Sequence, residues 1–116
     1  MTHTGEWIGV DISKRFLDVY VASEPAFRLA NDDGGRSMLT ERLRMIGVQG
    51  VVLEATGGLE RPVLAALTAA ELPGSIVNPA RVRAFAEGTG QLAKTDRIDA
   101  KVLASYGAGT RASRRP

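Results

Sequence analysis

Asp11, Glu54, Asp96 and Asp99 are the residues whose setting points most directly to chemistry. Asp11 interrupts the apolar run Trp7-Ile8-Gly9-Val10-Asp11-Ile12, Glu54 ends Val51-Val52-Leu53-Glu54, and Asp96-Arg97-Ile98-Asp99 spaces two acids three residues apart. An acid at the end of a buried strand is costly unless it finds a partner. On a helix, an i, i+3 pair stands on one face with side chains about 5–6 Å apart. Four carboxylates gathered without a cation would repel, and some would stay protonated. A hard divalent cation, Mg2+ or Mn2+, resolves that conflict with oxygen ligands. The chemistry open to such a site is phosphoryl transfer, in which two ions roughly 3.5–4 Å apart activate a nucleophile and stabilise a leaving oxygen.

The elements that must position these acids follow from periodicity. Residues 7–12 read as a buried strand, Ser13-Lys14-Arg15 as a turn, and residues 16–22 as a second strand in which Leu17, Val19 and Val21 alternate with Phe16, Asp18 and Tyr20. Residues 26–30 add a third strand, and Asn31-Asp32-Asp33-Gly34-Gly35 is a turn and capping cluster. Met38, Leu39, Leu43 and Ile46 then predict a helix over 35–46. The continuous apolar run 51–53 suits a strand covered on both faces. A helix over 59–72 with Pro62 in its first turn, a strand over 75–77, a helix over 79–87 and a last helix over 95–107 complete the order. Early strands joined by short turns imply an antiparallel meander, and later strands separated by helices imply parallel additions. The expected fold is therefore α/β, a mixed sheet flanked by helices. The expected division is one domain over 1–107 and a disordered basic tail over 108–116.

Bulk properties narrow the class. The 116 residues form one domain's worth of chain, with 44% hydrophobic and 24% charged residues, ordinary values for a globular protein. There is no cysteine, which removes disulfides and thiolate metal sites and suits a reducing cytoplasm. No apolar run is long enough to span a membrane, and Met-Thr-His-Thr-Gly-Glu lacks the features of a signal peptide. The expectation is a cytoplasmic protein with no membrane partner. The net charge of +2 is uneven: residues 1–78 carry seven Lys/Arg and ten Asp/Glu, whereas residues 79–116 carry eight and three. A basic segment holding two of the candidate ligands suits a polyanionic partner, and the alternative is a solvated helix face with a frayed tail.

Four motifs then occur in order: Gly9-Val10-Asp11-Ile12-Ser13-Lys14, Val52-Leu53-Glu54-Ala55-Thr56-Gly57, Val77-Asn78-Pro79-Ala80-Arg81-Val82-Arg83-Ala84-Phe85-Ala86 and Ala93-Lys94-Thr95-Asp96-Arg97-Ile98-Asp99-Ala100. Over residues 7–106 the chain resembles the catalytic domain of DEDD-type insertion-sequence transposases, relatives of the pilin-gene invertases. The resemblance implies a ribonuclease-H-like fold and assigns the family's four acids to Asp11, Glu54, Asp96 and Asp99. It implies Mg2+-dependent cleavage and rejoining of DNA, assembly as a homo-oligomer or with a full-length transposase, and in some members a structured guide RNA. Family members continue into a C-terminal domain that contributes a serine. Since this sequence stops at Pro116, the resemblance leads us to expect an excised domain or a truncated relative. The alternative expectation is a catalytically inactive remnant that binds DNA or a full-length transposase.

Each acid also has a plain structural role open to it. Asp11 suits a strand-end turn acid, Glu54 a cap before the next helix, and Asp96 and Asp99 helix N-terminal acids with Thr95 as N-cap. Asp18 reads as a sheet-face acid, Glu60 as a first-turn helix acid and His3 as a tail residue. Thr56-Gly57-Gly58 offers a weak signal for backbone approach to a phosphate. Lys14, Arg81, Arg83, Lys94, Arg97 and Lys101 are candidate nucleic-acid contacts, to the backbone rather than to bases, because aromatics are few. Val10-Asp11-Ile12-Ser13-Lys14 also fits the phosphate strand of an actin-like sugar kinase, although Ser13 stands where a glycine is expected.

Overall fold

The computed structural model describes residues 5–110. Its elements run β1 (Glu6–Ile12), β2 (Phe16–Val21), β3 (Glu24–Ala30), α1 (Asp33–Ile46), β4 (Val48–Glu54), α2 (Glu60–Ala69), β5 (Gly74–Val77), α3 (Pro79–Gly88) and α4 (Ala100–Thr110). The five strands form one sheet in the order β3-β2-β1-β4-β5. β1 is central, antiparallel to β2 and parallel to β4, and β5 continues the parallel half. Strand alternation divides the core in two. Ile8, Val10, Ile12, Val51 and Leu53 pack with Leu39 and Leu43 of α1 and Val63 and Leu67 of α2. On the other face Val52 and Val77 pack with Val82 and Ala86 of α3 and Val102 and Leu103 of α4. The result is the expected α/β architecture, a mixed sheet between helices with a ribonuclease-H-like fold.

Local chemistry explains most boundaries. Asp32 caps α1 by accepting the Gly35 amide at 2.7 Å, and Asn78 caps α3 by accepting the Ala80 amide at 2.7 Å, with Pro79 in the first turn. α2 stops earlier than the expected residue 72. Glu71 turns left-handed (φ 60) and the Leu72 and Glu71 amides return to the Leu67 and Thr68 carbonyls, a Schellman closure that leaves Leu72 outside the helix.

The last helix corrects the sequence reading. It begins at Ala100, not Thr95, so Asp96 and Asp99 do not share a helix face. The reason lies in α3, where the Arg83 guanidinium donates to the Lys94 and Asp96 carbonyls at 3.3 and 2.6 Å. Those oxygens are the ones a helix over this segment would use as acceptors. The Asp96 carboxylate also folds back to accept the Ala93 amide at 2.9 Å, closing a turn. Asp99 is the N-cap instead: its side chain accepts from the Val102 amide at 3.0 Å and its carbonyl from the Leu103 amide at 3.0 Å. At the other end α4 continues through residues 108–110, into the stretch expected to be a disordered tail. Residues 111–116 and His3 lie outside the described residues.

Candidate functional site

The site is built on the carboxyl ends of β1 and β4. Residues of β1 and β4 that alternate with Val10 and Leu53 face α3 and α4, and these are Gly9, Asp11, Val52 and Glu54. The parallel pair Val10 and Leu53 puts Asp11 and Glu54 one step further along adjacent strands. Ligand sites of open α/β sheets gather at such strand ends. The Asp11 side chain is only 14% exposed and accepts from Arg97 Nη2 at 3.0 Å. Glu54 is half-buried. Burial raises its pKa first, the Asp11 charge raises it further, and Arg97 and Arg83 oppose both. Two acids side by side thus lack part of the positive charge they call for.

α4 delivers the third acid. Gly9 allows the Ala100 carbonyl to rest directly on β1, since a Cβ there would overlap that oxygen. This close approach holds Asp99 over the sheet, and Asp11 and Asp99 line one open hollow of about 430 Å3 together with Asp18, Arg28, Arg97 and Lys101. Asp96 stands on the exposed loop beside it, lining a second hollow with Arg97, Asp99 and Lys101. Asp11 and Glu54 therefore end adjacent strands on the α3/α4 side, and Asp99 shares one hollow with Asp11 and the other with Asp96. Among the described residues, no three acidic or histidine side chains stand close enough to hold one ion in this arrangement. Each acid but Glu54 is engaged by a protein donor: Asp11 by Arg97, Asp96 by the Ala93 amide and Asp99 by the Val102 amide.

Asp18, a sheet-face acid as its alternation predicts, also borders the site. It is directly opposite Asp11 in the β1–β2 register. Like charges at paired positions repel, and the structure separates them by giving each its own arginine. Arg28 grips both oxygens of Asp18 at 2.8 and 3.2 Å, and Arg97 takes Asp11. The signal was the hairpin register, which the Ser13–Phe16 turn fixes through Ser13 amide to Phe16 carbonyl at 2.9 Å.

Glu60 is the first residue of α2, as expected, and it does more than favour the helix dipole. Its buried carboxylate accepts the Thr56 amide at 2.9 Å, the Thr56 hydroxyl at 3.0 Å and the Gly58 amide at 3.1 Å. The Thr56–Gly58 backbone is thus already occupied by an internal anion, which removes the weak case for a phosphate there. The Thr56 amide first, and the other donors with it, hold the Glu60 carboxyl down to about 2. A depressed acid adds stability that is complete above its ordinary value, about 4.5, and is lost as pH falls towards 2. Glu60→Gln should therefore melt several degrees below wild type at pH 7 and lose less between pH 4.5 and 2. Thermal melts across that range check both halves.

The candidate phosphate contacts divide by how they are used. Lys14 is exposed in the hairpin turn beyond Asp11, Arg81 on α3, Lys94 in the loop and Lys101 in the first turn of α4. Arg83 is committed to the loop carbonyls and to Glu87 at 3.4 Å, and Arg97 to Asp11. A family model described as a transposase, for DEDD enzymes of the IS110 type, matches residues 8–116. No curated protein matches the chain.

Proposed function

The chain belongs to the DEDD transposase family of the IS110 type, a transposase-type function on DNA, and we propose that its carboxylates support metal-dependent cleavage and rejoining of DNA phosphodiesters. The observation that carries this reading is the placement of Asp11 and Glu54 at the ends of adjacent parallel strands on one face, with Asp99 lining the hollow that Asp11 lines. The donor set is chemically suited to Mg2+ or Mn2+: oxygen donors alone, with Glu54 half-buried beside a second negative charge. Asp11 and Glu54 would supply the first two oxygen ligands, and Asp99 and Asp96 would complete the set by moving in from the segment before α4. Such an ion supplies charge neutralisation at the reacting phosphate and a more acidic bound water. The chain's own contribution is placement. β1 and β4 fix two acids, Gly9 seats the third, and Lys14, Arg81, Lys94 and Lys101 offer positive charge along a phosphate backbone. Arg83 acts indirectly by shaping the loop that bears Asp96.

The test is Mn2+ titration of wild type and Asp11→Asn/Asp99→Asn by calorimetry, together with nicking of supercoiled or branched DNA. Saturable binding by wild type that the double variant lacks is the expected result. Equal responses in the two proteins would sink the shared-site reading. A second reading, DNA binding without cleavage, draws on the Arg97–Asp11 pair, which already neutralises one acid. Nicking by wild type that disappears in Glu54→Gln rejects it.

A further inference from the structure

Arg97 occupies the place of the positive charge that the acids call for. Its guanidinium bonds Asp11 and, among the described residues, no other side chain. The two partners are unlike. Asp11 is fixed in the central strand with 14% of its side chain exposed, whereas the Arg97 side chain is 77% exposed. Arg97 itself lies in the irregular segment before α4, held by neither helix nor strand. Ion pairs with one partner so exposed are weak and exchange at little cost. Arg28 is not free to replace it, because both oxygens of Asp18 hold it in a two-point grip.

We propose that Arg97 is an exchangeable internal counter-ion: it neutralises Asp11 in the metal-free protein, and a divalent cation binds by displacing it. This rests on the proposed metal-dependent function and adds to it a regulation of the same acids. Arg97 and the cation compete for one carboxylate, so the apparent metal affinity is lowered by the fraction of protein in the Arg97-paired state. Once displaced, the guanidinium stands beside Lys101, in the two hollows that both residues line. There it becomes available to a phosphate group, so cation and polyanion binding favour each other.

The test is Mn2+ binding to the full chain, read by calorimetry and by loss of the free-ion EPR signal, for wild type, Arg97→Gln, Lys101→Gln and Asp11→Asn. Circular dichroism checks that each variant folds. Arg97→Gln should bind Mn2+ roughly two- to sixfold more tightly than wild type, the gain from removing a weak competing ion pair. Lys101→Gln removes the same charge from the same hollow without an ion pair to Asp11, and its affinity should change much less. Equal or weaker binding by Arg97→Gln, or an equal gain in Lys101→Gln, overturns the exchange while leaving the metal site intact if Asp11→Asn still loses binding. Absence of Mn2+ binding in both wild type and Arg97→Gln overturns the exchange and the metal-dependent reading together.

Discussion

Gly9→Ala should unseat helix α4 and lower stability by at least about 3 kcal/mol. The added Cβ would fall on the Ala100 carbonyl oxygen and against the Ala104 amide nitrogen, 2.8 Å away. Both obstacles are backbone, so no side chain can rotate out of the way. Either β1 bends, which breaks its ladders with β2 and β4, or the first turn of α4 lifts from the sheet. The second route exposes Val102, Leu103 and Ala104 and carries Asp99 away from the strand ends. For a chain of this size the melting temperature should fall by roughly 10 °C or more, and Mn2+ binding should fall with it. Gly88→Ala is the control. Gly88 has open space around its missing Cβ and lies in α3, so alanine there should be neutral or stabilise by about 0.5–1 kcal/mol. A Gly9→Ala protein that melts like wild type would show that the close approach of α4 to β1 is not what positions Asp99.

How far such positions are legible in sequence depends on whether the deciding interaction is local. β1, β2 and β4, and with them Asp11 and Glu54 at strand ends, follow from apolar runs and alternation within a few residues. The caps Asp32 and Asn78 are local too. The start of α4 is not. Asp96, Arg97 and Asp99 satisfy helix periodicity, but the Arg83 side chain, arriving from another helix, takes the Lys94 and Asp96 carbonyls, and the Asp96 turn and Asp99 cap then set the later start. The pairing of Asp18 with Asp11 depends on hairpin register, where a shift of one residue sends a side chain to the other face. Glu60 reads correctly as a helix acid, yet its bonds to Thr56 and Gly58 require the turn's fold. Local patterning thus places Asp11 and Glu54 at strand ends, and the tertiary contacts decide that Asp99 shares one hollow with Asp11 and another with Asp96.

Glu54→Gln should raise stability without metal and abolish the response to metal, two opposite signs from one side chain. In the folded chain, burial and then the neighbouring Asp11 charge raise the Glu54 pKa above its usual 4.5. A raised acid binds its proton more tightly folded than unfolded, so ionisation costs stability as pH rises from about 4.5 through the raised value. Above the raised value that cost is present in wild type, and the neutral amide escapes it. With a chelator present, Glu54→Gln should melt at or slightly above wild type, and the difference should vanish near pH 4. Adding Mn2+ or Mg2+ reverses the order. A cation that binds only the folded state stabilises wild type by mass action, and the amide, lacking a negative charge, forfeits most of that gain. Cleavage should fall at least about a hundredfold, the scale set by losing one charge-stabilising group from a reacting centre. The crossing of the two melting curves is the decisive feature. A simple packing role for Glu54 predicts a variant less stable than wild type with or without metal, and only a carboxylate kept for a cation predicts the reversal.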